Sequence, residues 1–173
     1  MSALKQRQSQ REFRPDPIDN QLLADLLWAA FGINRPTNDH RTAPSAQNTQ
    51  DIDIYVVKAD GVFVYEAKPH ALRKVAGRDL RGQTTGQEAL KNAAVQLVFV
   101  SDFARMPKVP VELRDLYAGV DAGAIVQNVY LFAASEGLAC VVHELDRSPL
   151  AKELNLRTEQ RIVVAQAVGW PKQ

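Results

Sequence analysis

An α+β fold, a sheet with helices around it, is what this chain predicts, and three observations carry the prediction. Residues 52–57 and 62–65 are rich in β-branched and aromatic side chains and flank Asp60-Gly61, where a tight turn needs positive φ, so they read as a β-hairpin. The stretch from Leu116 to Glu136 is helical in pattern but apolar on most sides, as expected of a central helix. The remaining strand-like runs are separated irregularly, without the strict alternation of a doubly wound fold.

In chain order, Pro15, Pro17 and Asp19 precede Leu22, Leu23, Leu26, Leu27 and Ala30 at helical spacing, and Gly32 follows as a stop. Residues 34–50 are polar, contain Pro36 and Pro44 and lack apolar periodicity. They read as one long loop, and loops of that length usually carry function. After the hairpin, residues 86–93 look helical and residues 95–100 read as a largely buried strand, followed by a loop broken by Pro107 and Pro110. Small residues (Ala118, Gly119, Ala122, Gly123, Ala124) crowd the first half of the long helix, so that neighbours can approach it closely, and Gly137 ends it. Residues 138–142 form a short strand, Ser148-Pro149 reads as the N-cap and first position of a short helix through Asn155, and residues 161–168 are a last strand.

With 173 residues, 46% of them apolar, the chain can bury the core of a single domain spanning residues 1–173. A net charge of +1 supplies no field to draw nucleic acid or an acidic membrane, so neither is expected as a partner. No apolar run approaches the roughly 18 residues of a membrane span, and the first six residues hold no apolar signal core. Cys140 is the single cysteine, which rules out an intramolecular disulfide and a Cys-rich zinc site and fits a reducing compartment. A cytoplasmic protein is expected; a removed export segment would leave no trace in this chain.

Two polar motifs stand out. In Arg7-Gln8-Ser9-Gln10-Arg11, an extended backbone would turn two guanidiniums and a hydroxyl to one side, able to clamp a phosphate, whereas in a helix Ser9 would turn away. Taken alone, the five residues read as a solvated basic arm. Pro44-Ser45-Ala46-Gln47-Asn48-Thr49-Gln50 gathers hydroxyls and amides that could face a polar heteroaromatic ring, though taken alone it reads as an Asx or Ser turn. Glycine-rich dinucleotide and phosphate loops and a nucleophile elbow are missing, which removes the main support for a Rossmann dehydrogenase or a serine hydrolase. His143-Glu144 is followed at the fourth position by Arg147, so the zinc pair of a zincin is absent, and His40, His70 and His143 read as surface or capping residues. Cys140, in an apolar run without a basic neighbour, reads as a buried thiol and not a nucleophile.

In combination the motifs say more. Arg7-x-Ser9-x-Arg11-x-Phe13, followed after one helix by Arg41-Thr42-Ala43-Pro44-Ser45-Ala46-Gln47-Asn48-Thr49-Gln50, resembles the nitroreductase family of FMN-dependent oxidoreductases. Residues 127–139, beginning Gln127-Asn128-Val129-Tyr130, look like its central helix and following strand, and Val164-Ala165-Gln166-Ala167-Val168-Gly169-Trp170-Pro171 looks like its closing strand. The Ala-Pro-Ser element before a hairpin is similar to the family's peptide-modifying dehydrogenase branch.

The resemblance implies a mixed, mainly antiparallel sheet flanked by helices, with the long central helix at the interface of a homodimer and FMN shared between the subunits. Arg7, Ser9 and Arg11, with Gln8 beside them, would hold the phosphate and ribityl end. Pro44, Ser45, Ala46 and Asn48 of the other subunit would line the isoalloxazine. Ala139, Cys140, Val141 and Val142 would pass its N5 and O4 edge with backbone N–H groups, and Gln87 would reach the pyrimidine edge. Three departures bear on the substrate: Asp51-Ile52 stands where the family often has Pro-Trp, Lys172 is the single basic residue past the last strand, and the middle region is too short for a large lid. The implied activity is ping-pong reduction of a small acceptor, such as a nitroaromatic or quinone, by NAD(P)H, with the flavin supplying the chemistry and no side-chain acid or nucleophile required. The alternatives are a non-catalytic flavin-binding protein and a specialised activity on the same fold, deiodinase-like, flavin-cleaving or dehydrogenase, both ranked lower because no lid sequence marks a special substrate.

Overall fold

The computed structural model describes residues 1–172. Its elements in chain order are α1 (Ser2–Gln6), α2 (Asn20–Phe31), β1 (Ile33–Arg35), β2 (His40–Arg41), β3 (Ile52–Lys58), β4 (Gly61–Glu66), β5 (Ala71–Ala76), β6 (Val95–Asp102), α3 (Arg114–Glu136), β7 (Ala139–His143), α4 (Arg147–Glu153) and β8 (Gln160–Gly169).

Side chains of a strand alternate between faces, and here both faces are covered. Ile52, Ile54 and Val56 of β3 join Leu97 and Phe99 of β6 beneath α2 and α3, while Tyr55 and Val57 join Val98, Val100 and Ile162 beneath Leu150 and Leu154 at α4. All eight residues of β6 are buried, which explains why Leu97 to Val100 are apolar without alternation. The six strands lie in the order β5-β4-β3-β6-β8-β7, and every pairing is antiparallel, in keeping with the expected mainly antiparallel sheet.

Local chemistry sets the element ends. The Asp19 side chain caps α2 by accepting the Leu22 N–H, and Leu23, Leu26, Leu27 and Ala30 are its buried stripe. Gly137 ends α3 in the left-handed region at φ 70°, with its N–H on the Ala133 carbonyl. In the hairpin, Gly61 pairs with Lys58 at φ 141°, and a Cβ there would come within 2.4 Å of the Ala76 carbonyl oxygen, so a side chain is barred on two counts.

Several expectations are corrected. Residues 86–93 form no α-helix but a five-residue 3-10 turn, Glu88–Asn92, whose Leu90 carbonyl accepts both the Ala93 N–H at 3.1 Å and Gln96 Nε2 at 2.7 Å just before the chain enters β6. The cap of α4 is Asp146, whose carboxylate accepts the Ser148 N–H, so Pro149 lies in the first turn and not at its first position. The long polar loop contains the ribbon β1–β2. Strand β5 and helix α1 carried no sequence signal: β5 holds Arg73 and Lys74 on an edge, and α1 buries nothing. His143 is a buried residue, not a surface one.

The edge position of β7 matters for the site. Residues 10–14 run past its open side, with the Gln10 N–H on the Cys140 carbonyl at 3.0 Å and the Arg14 N–H on the Trp170 carbonyl at 2.9 Å.

Candidate functional site

Helix α1 stops at Gln6 and the backbone becomes extended at Arg7 (φ −57°, ψ 120°). This brings Ser9 Oγ to 2.9 Å from the Tyr130 hydroxyl, which also accepts the Val142 N–H at 2.9 Å, while the Arg7 guanidinium lies 5.2 Å from the Tyr130 ring centroid. A phenol that accepts the Val142 N–H still has its own proton to give, and Ser9 Oγ lies within reach. Either hydroxyl of the pair can donate to the other, and Ser9 is exposed beside it. Arg7 and Arg11 pair with no carboxylate among the described residues, nor does Lys172. The Lys172 N–H bonds the Glu12 carbonyl at 3.1 Å, which sets Lys172 beside the Arg11 stretch, and Gln8 is exposed. The N-terminal motif therefore presents guanidinium, ammonium and hydroxyl groups without carboxylate partners among the described residues, a chemistry that suits an anion such as a phosphate monoester.

The second motif is a strained turn. Gln47, Asn48 and Gln50 all have positive φ (52°, 55° and 48°), which non-glycine residues keep only where their surroundings impose it. Ser45 Oγ accepts the Gln50 N–H at 2.9 Å, the Thr49 hydroxyl donates to Asp51 at 3.1 Å, and the Gln50 side chain is gripped by Arg41 Nε at 2.9 Å and the Asp39 carbonyl at 3.0 Å. The Ala46 N–H points between the two carboxylate oxygens of Asp121 on α3, 2.9 Å from each. Pro44 and Asn48 are exposed.

Tyr130 holds the clamp and Asp121 holds the turn, nine residues apart on α3. That separation is about 13 Å along the axis and about two and a half turns, so the two point to opposite sides of the helix. Within one chain the two motifs are not brought together.

The β7 residues sit beside the clamp. Ala139, Cys140 and Val141 are buried, and Val142 is half-buried with its N–H committed to Tyr130. Burial pushes the Cys140 thiol up to about 12, against small opposing effects from Gln166 and Arg7, so it stays protonated at neutral pH. Gln87 is exposed, three residues before Leu90, which packs with Phe13, Ala139 and Val141 on the same side of the sheet. Among the described residues no group of His, Cys, Asp and Glu could hold a metal, and no helix is long and apolar enough to cross a membrane.

The nitroreductase family model matches residues 4–170, from the clamp through the closing strand. The chain belongs to the nitroreductase family. Family membership makes it an oxidoreductase by class. A Methanocaldococcus jannaschii protein named "putative nitroreductase" is 30% identical over 149 residues, covering 80% of this chain and 74% of its own. The crystal structure of a "putative nitroreductase" from Ralstonia eutropha JMP134 superposes with a TM-score of 0.96 at 37% identity, covering 100% of this chain and 83% of its own. A nitroreductase-named structure from Desulfovibrio desulfuricans, in complex with FMN, superposes with a TM-score of 0.70 at 23% identity, over 99% of this chain and 85% of its own, and so shares the fold.

The nitroreductase motifs alone do not reveal the residues that hold them. Tyr130 and Asp121 carry no role in the sequence reading, although each is a polar group at a buried position of α3, which was the available signal. The pair of His143 Nε2 and Gln96 Oε1, 3.0 Å apart, had no signal, because the two residues lie 47 positions apart.

Proposed function

We propose that this chain is an FMN-dependent oxidoreductase that takes reducing equivalents from NAD(P)H and passes them to a small organic acceptor, such as a nitroaromatic or a quinone, in a ping-pong cycle, with each site shared between two copies of the chain. The observation that carries this reading is the set of Arg7, Ser9 and Arg11 at the open edge of β7: two guanidiniums that pair with no carboxylate among the described residues and an exposed hydroxyl, a donor set suited to the phosphate of a mononucleotide. The FMN-bound D. desulfuricans structure of the same fold supports a flavin as the ligand.

When bound, FMN supplies two-electron hydride chemistry that no side chain here can perform. The chain's residues bind and orient. Arg7 and Arg11 neutralise the phosphate, Lys172 adds charge from the closing segment, and Tyr130 fixes both the Ser9 hydroxyl and the β7 backbone in one hydrogen-bonded unit. The protonated Cys140 thiol offers no competing nucleophile.

The lie of α3 supports sharing between copies. With turn and clamp on opposite sides of one helix, the turn of a second copy would complete the enclosure of a planar ring. Leu116 and Val120, each 60% exposed, and Gly119 and Gly123, where an added Cβ would meet nothing within 4 Å, leave the outer face of α3 free for a helix from that copy. The small residues in the first half of the helix thus split: Ala118 and Ala122 pack inward, and the glycines face outward.

The test is to release the cofactor by heat and identify it by chromatography, then to follow bleaching of the holoprotein by NADH or NADPH without oxygen and recolouring by a quinone. FMN and both colour changes are expected. FAD, or no flavin uptake from excess FMN, rules the reading out.

A further inference from the structure

Asp51 and Asp121 are 0% and 3% exposed, and both anchor the same strained turn, Asp51 through the Thr49 hydroxyl and Asp121 through the Ala46 N–H. Two carboxyl groups buried side by side in this way cannot both be charged unless a cation stands between them. Among the described residues none does. Arg105 Nη2 goes to the Asp53 carboxylate at 2.8 Å and to the backbone carbonyl of Asp51 at 2.6 Å, not to the Asp51 carboxylate, and Asp102 is paired with Arg157.

The donors around the pair are unequal. Asp51 receives the Ser101 hydroxyl at 2.5 Å and the Thr49 hydroxyl at 3.1 Å, which stabilise an anion, whereas Asp121 receives a single backbone N–H, that of Ala46. We propose that Asp121 carries a proton which it donates to the Asp51 carboxylate, and that this shared proton locks the turn of residues 45–50, making Asp121 a positioning residue whose deprotonation releases the turn and weakens the flavin site it helps to build. The proton joins the anchor of Ala46 on one side of the turn to that of Thr49 on the other, adding to the Ser45 Oγ–Gln50 N–H bond that also spans the residues held at positive φ. Its loss to solvent leaves two like charges in contact and separates those anchors. The flavin part of the inference rests on the function proposed above; the shared proton does not.

Burial, with Asp51 beside it, raises the Asp121 carboxyl from 3.8 to about 7, so protonation changes in an accessible range. The unfolded chain gives up this proton first. Wild-type stability therefore falls as pH rises from about 4 to about 7 and is flat with respect to this group above that.

The experiment compares the full-length wild type with Asp121→Asn, which keeps an acceptor for the Ala46 N–H and a permanent donor to Asp51. In the flavin-free proteins, the stability of wild type relative to Asp121→Asn should decline between pH 5 and pH 7.5, read from unfolding temperatures. Parallel pH profiles overturn the shared proton. In titrations with FMN, wild-type affinity should fall about tenfold per pH unit at most above pH 7, while Asp121→Asn stays level apart from the ligand's own titration; equal profiles overturn the link to the flavin site. Infrared difference spectra of wild type across the same range should show the carbonyl band of a protonated carboxyl disappearing, a readout that needs no variant, and its absence overturns the proposal even if Asp121→Asn fails to fold. A chain that takes up no FMN at any pH overturns the flavin reading alone, because the unfolding and infrared measurements still decide the proton.

Discussion

Tyr130 and Asp121 divide one helix between two loops: the Tyr130 hydroxyl, 2.9 Å from Ser9 Oγ, fixes the N-terminal clamp, and the Asp121 carboxylate, 2.9 Å from the Ala46 nitrogen, fixes the turn on the opposite side. Helix α3 is thus the ruler that sets where each half of the site stands.

Tyr130→Phe keeps the ring under Arg7 but removes the hydroxyl shared by Ser9 and the Val142 N–H. Leaving these groups without their partner should cost about 1–3 kcal/mol of stability and should weaken FMN binding as well. Thermal unfolding with a parallel FMN titration checks this. Wild-type values in both would show that the hydroxyl does not couple clamp to strand.

Arg7→Ala removes a charge-assisted contact to the ligand, and FMN affinity should drop by about 10- to 100-fold, equivalent to about 1.5–3 kcal/mol. Arg7 makes no ion pair among the described residues, and its contact with the Tyr130 ring contributes about 0.5–1 kcal/mol, so the unfolding temperature of the flavin-free protein should fall only slightly. Unchanged affinity removes the phosphate role.

Gly123→Leu separates the lone chain from the dimer by sign. In one chain the new side chain meets open space, and the gain in helix propensity, somewhat less than the ~0.8–1 kcal/mol that separates glycine from alanine, should stabilise α3. In a dimer packed on this face it should clash, so that light scattering reports monomers and flavin fluorescence reports release of FMN. A variant that remains dimeric with flavin bound places the interface elsewhere.

His143 gives a pH dependence opposite in sign to that of Asp121. Burial lowers its pKa from 6.5, opposed by weaker interactions with the Glu144 carbonyl and carboxylate, so the unfolded chain takes up the proton first as pH falls. Its contribution is fully present above pH 6.5 and is lost below it. Urea midpoints at pH 7.5 and 5.5 should therefore differ less in His143→Gln than in wild type; equal differences would show that His143 does not titrate between the two states.

Much of this protein was legible in one dimension because the forces involved are local. The hairpin, the stripe of α2 and the length of α3 follow from side-chain periodicity and from a few residues with special backbone needs, Gly61 and Gly137 above all. Arg7, Ser9 and Arg11 form a motif because an extended chain places alternate side chains together within a few residues. Strand β5 was hidden because its charged edge carries no hydrophobic period, and the turn at residues 86–93 because its Leu90 carbonyl is bonded by a side chain of β6 that only the folded chain brings there. Only the tertiary structure decided what holds the site. The partners Ser9 and Tyr130 are 121 positions apart, and Ala46 and Asp121 are 75 apart, brought together by sheet order and by the packing of α3. A polar residue in an apolar helix has no stated partner until that packing exists, and the protonation of Asp121, set by what is buried beside it, exists only in the folded chain.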